Sequence, residues 1–280
     1  MLSSSRNSLN PYTDAAALAS VQAMIDDVKP GERVTAAVLV IGDEILSGRT
    51  QDTNLAYLAK FLAALGIDLC EARVVADIEA EIVAAVNVLR MRYTYVFTTG
   101  GIGPTHDDIT ADAIAKAFGA GIDYHPEALA LLAARYKPGE FNDMRKRMAR
   151  IPEGASLIRN SVSTAPGFQI GNVFVMAGVP MIMRAMMEDV APRLRRGVVV
   201  VSATVSARIP EGRIAAPLAK IQDSHRTVAI GSYPFYVEDG FGVQLVVRGR
   251  DSEAVEAAAV EIEEAIRAEG IQPTRVPNKS

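Results

Sequence analysis

Cysteine is all but missing from this 280-residue chain. Cys70 stands alone, which excludes an intrachain disulfide framework and any cysteine-rich zinc site. It falls in the apolar-alternating stretch Ile67-Asp-Leu-Cys, where a buried strand residue is expected. Histidine is scarce too, and His106, His125 and His225 are too scattered to suggest a histidine-rich metal centre. No apolar run approaches the ~20 residues that a spanning helix requires. The first residues offer Ser and Asn where a signal peptide would carry a basic start and an apolar stretch. The expected location is therefore the cytoplasm, with no membrane partner. An excess of basic charge is lacking as well: 29 Lys and Arg against 33 Asp and Glu give a net charge of −4, so no general surface for nucleic acid is offered. The densest basic cluster, Arg145, Lys146, Arg147 and Arg150, reads as a solvated helix face.

What is present is the balance of a soluble globular protein, 49% hydrophobic and 22% charged, long enough for one large domain and a small one. Residues 1–33 differ from the rest and read as a weakly ordered extension with a short helix over Asp14–Val28. Strand and helix patterns then alternate: strand Ala36–Ile41, helix Asn54–Leu65, strand Ile67–Val75, helix Ile78–Arg90, strand Tyr93–Thr98, helix Ile109–Phe118. Such spacing indicates βαβ units and a mostly parallel sheet, in which ligands sit beyond the carboxyl ends of the strands. Residues 125–150 read as helices broken at Pro138-Gly139, followed by apolar runs at Ala155–Ile158 and Phe168–Met176 and a helix opened by Ala177-Gly-Val-Pro. After Gly197 a β-α-β-β-α order suggests a small α+β domain. The expected division is 1–33, 34–196, 197–270 and a flexible tail 271–280. In the small domain Tyr233-Pro-Phe-Tyr is an aromatic segment better suited to packing than to base stacking.

The chemistry concentrates in Thr98–Thr110, TTGGIGPTHDDIT. Glycines directly after a strand let the backbone turn tightly and approach a ligand, so that amide N–H groups converge on an anion beside a helix N-terminus. Asp107 and Asp108 stand where that helix begins, and Asp108 is placed to cap it. A plain glycine turn with an aspartate cap would look similar. The two carboxylates and His106 beside a phosphate-sized nest favour a ligand site. Two other phosphate motifs fail: the dinucleotide pattern needs a glycine where His106 stands, and Gly42–Thr50 resembles a P-loop with one residue too many and Arg49 in place of lysine.

Val40-Ile-Gly-Asp-Glu-Ile-Leu-Ser-Gly, Asp52-Thr-Asn54, TTGGIGPTHDDIT and Ala177-Gly-Val-Pro-Met-Ile-Met-Arg occur in the order found in MoaB/Mog-type molybdopterin-binding proteins. Over about Thr35–Arg196 the chain resembles the competence/damage-inducible protein A family in its N-terminal portion, and it is similar to the molybdopterin-binding domain fused to some FAD synthases. The resemblance implies a three-layer α/β fold with a mostly parallel sheet, joined to a small C-terminal α+β domain. It implies a phosphorylated pterin or nucleotide as ligand, a divalent metal (Mg, Mn or Co), molybdopterin as an alternative ligand, and self-association into a homo-oligomer. The expected activity is metal-dependent cleavage of a nucleotide pyrophosphate such as ADP-ribose. Molybdopterin adenylyl transfer and a non-catalytic binding module are the alternatives. Ile102, where many Mog-type loops carry threonine, argues against the transferase.

Residue by residue, Gly100, Gly101, Gly103 and Thr105 are expected at the phosphate. Asp108 and Asp43 are expected at the metal. Asp108, Asp77 and Glu44 are expected in catalysis, with Asp43 or Glu44 placing the cation or a water. Asn54 either hydrogen-bonds the ligand or serves the start of its helix, which Asp52 or Thr53 would cap. His106 is expected as a hydrogen-bonding residue at the cleft rim.

Overall fold

The computed structural model describes residues 33–277 apart from Pro138, Glu238 and Asp239. The extension up to residue 32, including its expected helix, and residues 278–280 lie outside the described residues. The chain divides into two compact units after Gly197. The first carries β1 (Thr35–Ile41), α1 (Asp43–Leu46), α2 (Asn54–Ala64), β2 (Asp68–Val75), α3 (Glu79–Arg92), β3 (Tyr95–Thr99), α4 (Thr110–Phe118), β4 (Ile122–Tyr124), α5 (Pro126–Arg135), α6 (Asp143–Lys146), β5 (Arg150–Pro152), β6 (Ser156–Ile158), β7 (Gly167–Ile170), β8 (Val173–Met176) and α7 (Pro180–Val190). A 3-10 turn, Arg147–Ala149, links α6 to β5.

Six strands form one sheet in the order β2-β1-β3-β8-β7-β6. The first four are mutually parallel, and β7 is antiparallel to β8 and to β6. β1 is buried on both faces because its apolar run leaves no polar side to show water. Ala36, Val38 and Val40 pack with Leu58 and Leu62 of α2 and Met183 and Met187 of α7. Ala37, Leu39 and Ile41 pack with Ile82, Val86 and Leu89 of α3 and Ile114 of α4. Helices therefore cover both faces, and the unit has three layers. At mid-sheet Phe97 and its register partner Phe174 stack, with ring centroids 5.2 Å apart. Asp52 Oδ1 accepts the Leu55 amide at 2.9 Å, which starts α2.

The run Phe168–Met176 is a hairpin, β7 and β8, turned at Gly171-Asn172. Asn172 is buried, and its Nδ2 donates to the Arg90 and Tyr93 carbonyls at 2.8 and 2.9 Å. Those two carbonyls lie at the end of α3, so the turn is tied to the helix rather than to solvent. Cys70 is exposed, not buried, because β2 is the outermost strand of the sheet. The stretch 125–150 also holds less helix than expected: α5 and α6 are short, and β4 pairs with β5 around them.

The second unit contains β9 (Val201–Ala207), α8 (Glu211–Ser224), β10 (Ala229–Val237), β11 (Gly240–Gly249), α9 (Ser252–Ala268) and β12 (Thr274–Val276). Its sheet order is β10-β11-β9-β12, with every neighbour antiparallel, the split βαβ arrangement of ferredoxin-like domains. The aromatic segment belongs to β10, where the Tyr233 hydroxyl accepts a hydrogen bond from Arg248 at 3.1 Å. The expected flexible tail is corrected by β12, which completes the sheet. Arg275 on that strand pairs with Glu263 and with Glu256 of α9. Burial alone would raise the Glu263 carboxyl, but hydrogen bonds from Arg275 and Arg267 outweigh it and hold the group below its ordinary value.

Asn172→Ala strands two buried carbonyls, so it should lower stability by about 2 kcal/mol in urea denaturation. Glu263→Gln should cost about 1 kcal/mol at neutral pH and speed amide exchange at residues 274–276. A carboxyl depressed on folding stabilises above its unfolded value and loses that contribution as acid protonates it. The gap between wild type and Glu263→Gln should therefore close as pH falls below 4.5, the ordinary glutamate value.

Candidate functional site

The carboxyl ends of β1, β2, β3 and β8 lie side by side, since Val40 aligns with Thr99, Ile41 with Val75, and Thr99 with Met176. The chain leaves β1 toward β2 on one side and returns as β3 on the other. The crevice of such a sheet opens at that reversal. Gly100 occupies it. Its φ is +108°, and a Cβ there would stand 2.1 Å from the Ile41 carbonyl oxygen. Gly101 follows at φ +65°, where a Cβ would strike the Thr110 hydroxyl at 2.1 Å. The loop can thus lie flat against β1 only with glycine at both positions.

Thr110 fixes the bend from below. It is fully buried, its hydroxyl donates to the Gly100 carbonyl at 3.0 Å, and its amide donates to the Gly101 carbonyl at 3.0 Å. The Gly100 amide is spent on the Met176 carbonyl at 3.1 Å, which removes it from the expected anion contacts. The next three amides, of Gly101, Ile102 and Gly103, donate to no protein acceptor among the described residues. Consecutive free N–H groups in a bend that begins at positive φ form an anion nest.

A cleft of about 590 Å³ opens over this nest, in the size range of small-molecule sites. Gly100, Gly101, Gly103, Asp108 and Glu44 line it from one side, Arg135, Tyr136 and Ser163 from the other. Of the expected residues, Gly100, Gly101, Gly103, Asp108 and Glu44 line the cleft, and the others stand elsewhere. Thr105, His106 and Asp107 are exposed and do not line the cleft, His106 with a side chain 93% accessible. The Thr105 amide donates to Asp108 Oδ2 at 2.7 Å, and its hydroxyl bonds the same oxygen. That contact corrects the expected cap: Asp108 closes its own loop, and Ile109 precedes α4 without a side-chain cap. Asn54 is buried, with Nδ2 donating to the Gly178 carbonyl at 2.7 Å, so it ties the start of α2 to the loop after β8. Its Oδ1 has no partner, and Asn54 lines a small pocket together with Glu44, Thr50 and Thr99.

Asp77 lies beside the nest. Its Oδ1 is 3.5 Å from where a Gly101 Cβ would be, and its Oδ2 accepts the Asp43 amide at 2.9 Å. Burial pushes this carboxyl above its ordinary value. The Asp43 amide pulls the other way, while the negative charges of Asp43, Glu44 and Asp107 push it further up. Every charge acting on it is acidic. No three Asp, Glu, His or Cys side chains among the described residues are grouped tightly enough to hold a metal unaided. Mg²⁺-like ions commonly take one or two carboxylates and complete their shell with phosphate oxygens and water. Asp77 and Asp43, joined through the Asp43 amide, would offer the one or two carboxylates such an ion takes.

The far wall was not legible as a site in the sequence. Asn160 organises it: Nδ2 donates to the Ala165 carbonyl at 2.7 Å, and Oδ1 accepts the Ser163 amide at 2.7 Å. Thr164 beside it has φ 59°, the one positive φ outside glycine among the described residues. Arg135 reaches the same loop, donating to the Val162 carbonyl at 3.0 Å. The only sequence cue was the cluster of Asn, Ser and Thr between two apolar runs.

Comparison with known proteins agrees with this architecture. Residues 37–196, more than half the chain, match the family described as a probable molybdopterin binding domain, and residues 199–275 match the middle domain of FAD synthase. A probable FAD synthase of Caenorhabditis briggsae is 30% identical over 84% of this chain and 50% of its own length. A CinA-like protein of Desulfovibrio desulfuricans is 31% identical over 83% of this chain and 56% of its own. The chain thus spans about half the length of these two relatives. The crystal structure of the CinA protein of Thermoplasma acidophilum, a protein of unknown function, is 34% identical, covers 57% of this chain and 98% of that one, and superposes with a TM-score of 0.55. With its doubly covered sheet, the glycine bend at the β1/β3 reversal and these matches, the chain belongs to the molybdopterin-binding-domain family, in its CinA-like branch.

Proposed function

We propose that the protein binds a phosphorylated nucleotide or pterin in the glycine-loop cleft and hydrolyses a nucleotide pyrophosphate of the ADP-ribose kind. The observation that carries this reading is the run of three unpartnered amides at Gly101–Gly103 beside Asp77. Those N–H groups bind phosphate oxygens and remain in place as charge builds on them. A divalent ion held by Asp77 with Asp43 would supply further neutralisation of phosphate charge. Glu44, which lines the cleft, takes the proton of the attacking water. The water oxygen bonds to phosphorus, the bridging P–O bond breaks, and AMP and ribose 5-phosphate leave.

Names among the relatives support a nucleotide ligand, since FAD is itself a dinucleotide joined through a pyrophosphate. Molybdopterin adenylyl transfer would use the same nest, and Ile102 leaves it without the hydroxyl common in Mog-type loops. A second reading is a binding module without turnover, since the free amides at Gly101–Gly103 suffice by themselves to hold a phosphate.

Incubation with ADP-ribose, FAD, or ATP plus molybdopterin, across magnesium, manganese and cobalt, should release AMP from the first two. Asp77→Asn should cut that release by about 100-fold or more. Adenylylated pterin would instead establish the transferase, and tight binding without product under every metal would establish the binding module. In metal-free protein the same variant should melt a few degrees higher, on the order of 2 °C, at neutral pH. A carboxyl raised on folding stabilises only while protonated, and that contribution is lost as pH climbs through its folded value. The advantage of Asp77→Asn should accordingly vanish at pH below the ordinary aspartate value of 3.8.

A further inference from the structure

The basic cluster Arg145–Arg150 does not form one solvated face. Lys146 pairs with Asp143 at 2.8 Å, and Arg150 holds Asp112 through both guanidinium ends, at 2.7 and 2.8 Å. The Arg145 guanidinium lies 4.3 Å from the Tyr136 ring centroid. Arg147 differs from all three. Its side chain makes no ion pair or hydrogen bond among the described residues, yet its Nε is buried. A guanidinium nitrogen that has lost water and gained no acceptor is costly, and it persists where an anion completes it.

The neighbours of Arg147 narrow the choice of anion. With Gly101, Gly103 and Asp108 it lines a crevice of about 20 Å³, room for a single water. The crevice and the large cleft share Gly101, Gly103 and Asp108, so Arg147 borders the glycine loop from the crevice side without lining the cleft itself. Asp77, Asp43 and Glu44 stand near the same loop, on the side of β1 and β2. Acids gathered near a cation site would repel a bare phosphate, and a fixed cation at the nest offsets that repulsion. Arginine suits the role, being always charged and weakly hydrated, with a planar fork matching two phosphate oxygens.

We propose that Arg147 is an anion-binding residue of this site, pairing with a phosphate held by the Gly101–Gly103 amides, and that it restricts the site to phosphorylated ligands. The inference rests on the glycine loop being the ligand site.

Calorimetric titration of the full chain with ADP-ribose, AMP and adenosine separates the two claims. Arg147→Met keeps the apolar stem and should weaken ADP-ribose and AMP by about tenfold or more, leaving adenosine within about twofold. Arg147→Lys should recover part of the loss, because charge returns without the fork. Equal losses for AMP and adenosine would reduce Arg147 to a packing role, and unchanged AMP binding would overturn the inference while the site stands. Failure of the wild type to bind either phosphorylated probe would instead overturn the glycine-loop reading, and this inference with it. Should Arg147→Met not fold, phenylglyoxal modification of wild-type Arg147, mapped by mass spectrometry, decides the matter. Saturating ADP-ribose should slow that modification, and an unchanged rate would refute the pairing.

Discussion

Contact between Gly100 and the Ile41 carbonyl is the constraint on which the rest of the site depends. Parallel strands stand about 4.8 Å apart, and β3 leaves the sheet next to β1 at the point where the chain's direction of travel reverses. A loop departing there must either rise away from β1 or cross its last carbonyl. Without a Cβ the chain crosses, and the approach is close enough that even alanine would collide. Because the Gly100 amide is consumed in closing the sheet on Met176, the bend that follows aims its next three amides outward. Thr110 locks that geometry by bonding both glycine carbonyls from the start of α4. The nest is therefore produced by sheet closure, and its donors are left over from backbone pairing.

Charge around the nest is divided. Asp77, Asp43 and Glu44 follow the ends of β1 and β2, Arg135 ends α5, and Arg147 opens the 3-10 turn before β5. This division suits a ligand with phosphate at its centre, where a cation and a guanidinium can neutralise opposite sides. Burial raises the Asp77 carboxyl, and the neighbouring acids push it further the same way. Glu44 lines both the cleft and the small pocket beside Asn54.

The second unit follows a different physical rule. Its four strands are all antiparallel, and α8 and α9 supply one apolar cluster with Val205, Leu245 and Val247. The strand nearest the C-terminus is short and joins β9 through three register pairs. Its hold depends as much on Arg275 reaching Glu263 and Glu256 as on ladder bonds. A local pattern cannot announce such a strand, since three residues carry too little alternation to register.

Sequence alone determined the parallel sheet, because runs such as Thr35–Ile41 and Tyr95–Thr99 are apolar on both faces and separated by helix-length patterns. It also determined which loop would face a ligand, through glycines at the end of a strand, and the order of motifs that marks the family. Tertiary structure decided which members of those motifs are free to act. Thr105 and Asp108 are neighbours in the motif, yet both donors of Thr105 go to one oxygen of Asp108, and Thr105 is thereby turned away from the cleft. Gly100 loses its amide to β8, some 76 residues downstream, a partner no local reading can supply. Arg147 looked like one charge in a solvated run, and only packing of the 3-10 turn behind the loop removed its Nε from water. Composition and periodicity record what each residue is able to do, whereas availability of a donor or a charge depends on what distant chain already occupies it.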